Sequence, residues 1–173
     1  MKKLLFSVTA VVILATASVL ALYLNNNKLD IVPEISLSII DGREIELHSL
    51  QGKPLLVTFW ATTCATCIKE MPHLIKLYDE FGKEELEIVA IAMSYDPPNR
   101  VVELSERKNI PYPIALDIDG SAAKAFGNVQ VTPTSFLIDS RGNVVQQKSG
   151  GINIEKLRKK VNALLKTTPV TVS

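Results

Sequence analysis

The amino-acid sequence predicts a single α/β domain that follows an apolar N-terminal segment. The runs Leu55–Trp60 and Leu86–Met93 have the length and composition of strands that are buried on both faces. Between them, large apolar residues recur every three or four positions from Ile68 to Phe81, which predicts a helix. Strand, helix and strand in this order predict a βαβ unit with parallel strands.

An uncharged segment precedes this domain. Residues 4–24 contain no charged side chain and follow two lysines, and the next basic residue is Lys28. As a helix, these 21 residues would extend about 30 Å, the thickness of the hydrocarbon core of a bilayer. The position of the lysines places the N-terminus in the cytoplasm and the remainder outside. We therefore expect residues 1–25 to be a transmembrane anchor in the cytoplasmic membrane and residues 26–34 to be a polar tether.

A cleaved signal peptide is the alternative for the same segment, because Ala15-Thr16-Ala17 has the small-residue pattern of a cleavage site. The apolar run continues past that site to Leu24, whereas the apolar region of a signal peptide usually spans only ~7–15 residues. The anchor is therefore the favoured interpretation, and cleavage would instead give a secreted soluble domain. Either way the domain is exported to a compartment where disulfide chemistry is permitted.

Alternation, helical spacing and turn residues predict the other elements of a domain over residues 35–166. Ile35–Ile39 and Glu44–Leu47 flank the turn Asp41-Gly42, which predicts a leading hairpin followed by the solvated loop residue His48. Gly82 is placed to end the first helix with a left-handed cap. The later elements are a helix over 101–108, a strand over 114–116, a short helix over 121–126, a hairpin of strands 135–138 and 144–148, a closing helix over 154–165 and a flexible tail over 167–173.

Composition limits the function. Of the 19 basic residues two lie before the apolar segment, so 17 basic and 18 acidic residues remain and no nucleic-acid surface is predicted. The chain has only two cysteines, Cys64 and Cys67. A cross-link between them would close a very short loop and contribute little stability, because that stabilisation grows with loop length. Their role is therefore reactive rather than architectural.

The two cysteines lie at the start of the first predicted helix. Free amide donors and the positive end of the helix dipole favour a thiolate at Cys64. A free cysteine titrates near pH ~8.5, whereas cysteines at such positions titrate between roughly 3.5 and 7.5. Cys67 lies one turn further on the same side of the helix, where it can attack a mixed disulfide formed by Cys64. We expect Cys64 to be the nucleophile and Cys67 the resolving cysteine of thiol-disulfide exchange.

Other uses of two cysteines remain open at this point. Two thiolates three residues apart can hold Cu(I), as in a copper chaperone. A structural zinc site would need both of the scattered histidines as further ligands. A thiol-peroxidase is disfavoured because both cysteines occupy the positions of a redox pair.

The residues around the cysteines resemble a known family. Phe59–Cys67, Glu70-Met71-Pro72 and Val131–Asp139 are similar to the membrane-tethered, extracytoplasmic thioredoxin-like proteins of the TlpA and ResA type, and the resemblance extends over about residues 35–165. It implies a thioredoxin-like fold with a central mixed sheet flanked by helices, the N-terminal β-hairpin and an additional β/α insert over about residues 97–126. It also implies a thiol:disulfide oxidoreductase that uses the cysteine pair and no other cofactor.

The resemblance assigns roles to further residues. It implies a cis Thr132–Pro133 bond beside the cysteines, with the backbone of Thr132 pairing with an extended substrate. Thioredoxins carry a buried acid six residues before the first cysteine, where this chain has Thr58. We therefore expect Glu70 to move the proton of Cys67 as a general base, the alternative being a surface glutamate near the helix start.

Two residues near the cysteines are expected to contact the substrate. Trp60 is interpreted both as core filling and as a wall beside the disulfide. Thr63 occupies a position where many relatives carry tryptophan, so this chain would present a smaller and more polar surface to its partner.

The implied activity is reduction of disulfides in specific exported proteins, such as apocytochromes c or copper-site proteins. A membrane thiol transporter would supply the electrons. A net oxidant or isomerase is possible with the same chemistry, because the residues between the cysteines affect the reduction potential and the sequence leaves that potential undetermined.

Overall fold

A computed structural model describes residues 12–16, 18 and 29–167 of the 173-residue chain. Most of the predicted membrane span over residues 4–24 lies outside the described residues, as do residues 168–173 of the predicted tail 167–173, whose first residue, Thr167, is helical. Among the described residues, no helix combines the length and apolar character needed to cross a membrane.

A five-stranded mixed sheet forms the centre of the domain, with a separate two-stranded hairpin before it. The central order is β5-β4-β3-β6-β7; β3, β4 and β5 are parallel, and β6 and β7 are antiparallel to their neighbours. The strands are β1 (Ser36–Ser38), β2 (Glu44–Glu46), β3 (Leu55–Trp60), β4 (Glu87–Ala92), β5 (Ile114–Leu116), β6 (Thr134–Ile138) and β7 (Val144–Ser149). The predicted leading hairpin and βαβ unit are confirmed.

Four α-helices accompany the described sheet: α1 (Ala65–Glu85), α2 (Pro98–Arg107), α3 (Ser121–Ala125) and α4 (Ile154–Thr167). Helix α2 begins earlier than predicted because Pro98 fits the first helical turn, where a proline needs no amide donor. Gly82 departs from helical geometry with φ of 68°, but its ψ of 162° lies outside the left-handed helical region and the chain resumes helical structure to Glu85. The predicted left-handed cap at Gly82 is therefore wrong. His48 is exposed as predicted, although it lies in a 3₁₀ helix, Leu47–Leu50, rather than in a loop.

Strand β3 is the centre of the core because its side chains alternate between the two faces of the sheet. Leu56 and Trp60 pack in the apolar cluster that includes residues of α1 and α4. Phe59 lies in the opposite cluster, where its ring contacts those of Phe126 and Phe136. Because all six residues of β3 are buried, the loop that follows Trp60 starts from a fixed point.

The folded domain begins before Ile35. Ile31 forms a bridge with Asn143, the amide of Val32 donates to the carbonyl of Gly142 at 2.8 Å, and the side chain of Val32 is buried. Part of the segment predicted to be a tether is therefore packed against the β6–β7 hairpin, an interaction across the chain that local polarity did not indicate.

Candidate active site

The carboxyl end of β3 leads directly into the cysteine pair. Cys64 is the N-cap of α1, and a disulfide joins it to Cys67 with a Cα–Cα distance of 5.2 Å. The Cys67 amide donates to Cys64 Sγ at 3.2 Å, so a free donor of the first helical turn faces that sulfur. Cys64 is partly exposed, whereas Cys67 is only 4% exposed. An incoming thiol or disulfide can therefore reach Cys64 and is excluded from Cys67.

Cys67 faces a small internal cavity of about 10 Å³. Thr58, Trp60, Glu70 and Pro133 line the same cavity, so strand β3, helix α1 and the start of β6 meet there. The Thr132–Pro133 bond is cis, as expected. The cavity brings the predicted resolving cysteine, the predicted base and the predicted proline together, although their chemical roles stay predictions.

Glu70 is a buried carboxyl, 9% exposed, and not a surface glutamate. Its Oε1 accepts a hydrogen bond from the Ile152 amide at 2.5 Å. Burial raises the pKa of Glu70 above its ordinary value, and the Ile152 amide and the neighbouring His73 oppose that shift. A carboxyl with a raised pKa accepts and returns protons more readily near neutral pH than an ordinary glutamate.

Trp60 is 2% exposed and belongs to the core, where it packs with residues of α1 and α4. Its burial agrees with the predicted core role, and its predicted contact with substrate stays a prediction. Trp60 still forms a wall of the cavity beside Cys67, and among the described residues its Nε1 has no hydrogen-bond partner. Thr58 bonds to Ser135 (Oγ1 to Oγ, 3.0 Å), so a hydroxyl pair stands where a thioredoxin would place its buried acid.

The other two predicted substrate-contacting residues lie nearer the surface. Thr63 is exposed immediately before Cys64, and Thr132 is half-buried immediately before the cis bond. The Thr132 hydroxyl lies 3.5 Å from the hydroxyl of Tyr95. Tyr95 was not among the site residues predicted from the sequence. Tyr95 follows the end of β4, so it reaches this edge of the sheet beside the cysteine loop.

Asp96 is a second residue that the sequence reasoning missed. Its carboxylate is 4% exposed and accepts bonds from the amide and the hydroxyl of Thr62, at 2.5 and 2.6 Å. This clamp fixes the loop that carries Cys64 to the loop that starts α2. The sequence did contain a signal for Asp96, because this aspartate lies just beyond the carboxyl end of β4, and parallel strands such as β3 and β4 end at the same edge of a sheet.

A cleft of about 810 Å³ lies between the leading hairpin and the Tyr78–Glu87 pair and is lined by none of the predicted site residues. No group of three or more His, Cys, Asp or Glu side chains in the described part of the chain is arranged to hold a metal ion.

A partly exposed sulfur at a helix N-cap, linked to a buried sulfur beside a cis-proline loop, defines a thioredoxin-fold thiol-disulfide oxidoreductase. Comparison with known proteins agrees. Residues 26–165 match the Redoxin family, and the chain belongs to that family.

Individual relatives indicate which kind of thiol-disulfide oxidoreductase this chain is. The chain is 33% identical to the thiol-disulfide oxidoreductase ResA of Bacillus thuringiensis subsp. konkukian over 174 aligned positions, which cover 96% of this chain and 98% of that protein. A thiol:disulfide interchange protein from Chlorobium tepidum TLS has 26% identity and a TM-score of 0.72, covering 80% of this chain and 97% of that one. StoA from Bacillus subtilis has 25% identity and a TM-score of 0.63, covering 72% and 93%. The protein is a TlpA/ResA-type thiol-disulfide oxidoreductase.

Proposed function

We propose that this protein reduces disulfide bonds of specific exported proteins on the outer face of the cytoplasmic membrane. The observation that carries the proposal is the difference in access between the two sulfurs: Cys64 is partly exposed at the N-cap of α1, and Cys67 is buried behind it. An enzyme that attacks with one sulfur and releases its partner with the other requires this difference.

In the proposed reaction the reduced Cys64 thiolate attacks one sulfur of the substrate disulfide. A bond forms between Cys64 Sγ and that sulfur, and the other substrate sulfur leaves as a thiolate that takes a proton from solvent. The Cys67 thiol then loses its proton, and its sulfur attacks Cys64 Sγ. The Cys64–Cys67 disulfide forms, the second substrate thiolate leaves, and two electrons have passed from the protein to the substrate.

Glu70 is proposed to take the proton of Cys67 during the second step. Both side chains line the same cavity, and no other carboxyl among the described residues lines it. The carboxyl is buried, so the proton would pass without bulk water.

The cis-proline loop and Thr63 are proposed to hold the substrate. The Thr132 backbone precedes Pro133, which has no amide hydrogen, and it would pair with an extended substrate segment through main-chain bonds. Thr63 lies exposed beside Cys64 and would contact the residues that flank the substrate cysteine.

The cellular setting of the proposal comes from the N-terminal sequence and the family. The uncharged segment 4–24 would anchor the protein, a membrane thiol transporter would reduce the disulfide again, and apocytochromes c or copper-site proteins would be substrates. Regeneration needs such a dithiol donor because each substrate disulfide consumes the pair of electrons that the two cysteines hold.

Trapping tests the proposal. In the Cys67→Ser variant, expressed at full length in its native envelope, Cys64 should hold exported proteins as mixed disulfides that dithiothreitol releases. The variant with both cysteines changed to serine is the control and should trap nothing. An absence of dithiothreitol-sensitive adducts on Cys64 would contradict the proposal.

The reduction potential decides the direction of transfer. A reductant requires a potential near that of thioredoxin, about −270 mV, whereas a net oxidant would lie nearer −120 mV, on the order of the value of a strong periplasmic oxidant. Titration of the full-length protein against glutathione buffers measures it, and a parallel Cu(I) titration of the reduced protein tests the copper-chaperone alternative.

A further inference from the structure

A groove of about 300 Å³ begins one residue from Cys64. Thr62 and Thr63 of the cysteine loop form one wall, and Arg100, Glu103, Leu104 and Arg107 of helix α2 form the other. These helix positions recur at three- and four-residue intervals, so they share one face of α2. We call this feature the α2 groove.

The α2 groove has an apolar floor and a positively charged rim. Leu104 is 7% exposed, whereas the Arg107 side chain is 64% exposed and that of Arg100 is also exposed. Glu103 is the one acidic side chain that lines the groove, and it lies 3.3 Å from Arg107 in an exposed ion pair of the weak, easily exchanged kind. Among the described residues Arg100 has no ion-pair partner within 4.0 Å, so the side chains that line the groove carry two positive charges and one negative charge.

The Asp96 clamp makes the α2 groove a preformed surface. Thr62 of one wall is bonded twice to Asp96, and Asp96 lies two residues before the start of α2, which supplies the other wall. The two walls are therefore tied together near Cys64. A preformed groove binds a segment without first paying for the ordering of its own loops.

We propose that the α2 groove binds acidic residues that flank the reacting cysteine of a protein substrate. This inference rests on the proposed reaction at Cys64 and adds a selection rule to it. A substrate residue two or three positions from the reacting cysteine is about 7–10 Å away in extended chain, which matches a groove that starts beside Thr63. Its carboxylate would accept bonds from the planar guanidinium of Arg100 or displace Glu103 from Arg107.

The α2 groove would contribute to substrate recognition and to the rate of encounter, and not to the breaking of the disulfide bond. Both arginines would act through the charge of the groove and not on the sulfurs themselves. An acidic substrate segment would therefore raise the second-order rate constant, and salt would reduce the gain because exposed charges are screened over about 10 Å at 0.1 M.

Three synthetic peptides test the proposal. Each contains one intramolecular disulfide, and they differ only in the three residues beside the first cysteine: Asp-Ser-Glu, Asn-Ser-Gln or Lys-Ser-Lys. Reduced full-length protein in mild detergent is mixed with each peptide, samples are quenched in acid, and chromatography gives the rate constants. The rate constant for each peptide is divided by the rate constant for reduction of the same peptide by dithiothreitol. This ratio removes differences in the reactivity of the peptides themselves.

The wild-type protein should reduce the acidic peptide about tenfold faster than the amide peptide at low salt. The double variant Arg100→Gln/Arg107→Gln should lose that ratio while its rate with the amide peptide changes less than about twofold. Arg100→Glu/Arg107→Glu should reverse the order and favour the lysine peptide. The charge-matched control Lys159→Gln/Lys160→Gln removes two cations from α4, outside the groove, and should keep the wild-type ratio.

Equal rates of the wild type with the acidic and amide peptides would overturn the groove assignment and leave the proposed reductase function intact. An unchanged peptide order in the charge-reversal variant would overturn it as well, provided that circular dichroism shows the variant to be folded. If the reduced wild type acts on none of the three peptides, the proposed function and the inference built on it both fail.

Discussion

The Asp96 clamp gives a quantitative prediction for stability. Asp96→Ala removes an acceptor of two hydrogen bonds from Thr62. Hydrogen bonds to charged groups each contribute about 1.5–3 kcal/mol, and the lower end applies here because Thr62 is half-buried and water can replace part of the loss. Relief of the buried charge offsets some of the cost, so we expect the free energy of unfolding to fall by about 2–3 kcal/mol. For a domain of this size that corresponds to a decrease in Tm of roughly 10 °C.

A double-mutant cycle isolates the clamp from the general effect of altering a buried residue. Thr62→Val removes the hydroxyl bond but keeps the amide bond, and it should cost about 1 kcal/mol in the wild-type background. In the Asp96→Ala background the same change should cost almost nothing, which gives a coupling of about 1 kcal/mol. Urea unfolding of the oxidised protein, followed by circular dichroism, measures all four variants. Strictly additive costs would refute the clamp.

Three further predictions concern buried groups and a close backbone approach. Because burial raises the pKa of Glu70, the folded state favours the protonated carboxyl, and the protein loses stability as the pH rises from about 4 through the raised pKa. The stability of Glu70→Gln relative to the wild type should therefore increase between about pH 4 and 7 in urea titrations. A constant difference between the two proteins would contradict the raised pKa. Burial and the Glu87 charge raise the pKa of Tyr78 to about 12, so the stability of the wild type should fall between about pH 10 and 12. The Tyr78→Phe variant should lose less stability than the wild type over that range in alkaline unfolding curves. Gly142 has φ of 88°, and an added Cβ would lie 2.6 Å from Gln51 Nε2 and 3.2 Å from Val32 Cγ1. Gly142→Ala should therefore lower stability by about 1–3 kcal/mol in thermal melts, and an unaffected melt would contradict both the positive φ and this close approach.

Local patterns were sufficient to predict the element that carries the chemistry. The β3 run is apolar throughout and the α1 stripe repeats every three or four residues, so neighbours in sequence determine both. The position of Cys64 at the N-cap follows from that boundary. The cis Thr132–Pro133 bond could not be derived from composition, because most bonds before proline are trans, and it came from the resemblance to the family.

The features that could not be predicted from the sequence depend on contacts between residues that lie far apart in the chain. Thr62 and Asp96 are 34 residues apart, and they meet only because β3 and β4 are parallel and pair in a register that aligns Trp60 with Ala92. The amide that faces Glu70 comes from Ile152, 82 residues away. The contacts of Trp60 likewise depend on packing of α1 and α4 over the sheet, although the apolar run Leu55–Trp60 had predicted its burial.

The two sulfurs differ in a way that suits sequential attack and release. Cys64 is partly exposed and receives an amide hydrogen bond at the helix N-cap, whereas Cys67 is buried and shares a small cavity with the Glu70 carboxyl. A carboxyl held by a backbone amide keeps a fixed position when it gains or loses a proton. In the proposed reaction, the same fold would present Cys64 to a partner and protect Cys67 until the mixed disulfide has formed.

The acidity of Cys64 in the reduced protein tests this account most directly. The pH dependence of iodoacetamide alkylation, with mass spectrometry to assign each modified cysteine, gives the titration of Cys64 in the wild type and in Cys67→Ser. We expect Cys64 to react first and with a midpoint clearly below ~8.5, the value of a free cysteine. A midpoint at or above that value, or faster modification of Cys67, would contradict the assignment of Cys64 as the attacking sulfur.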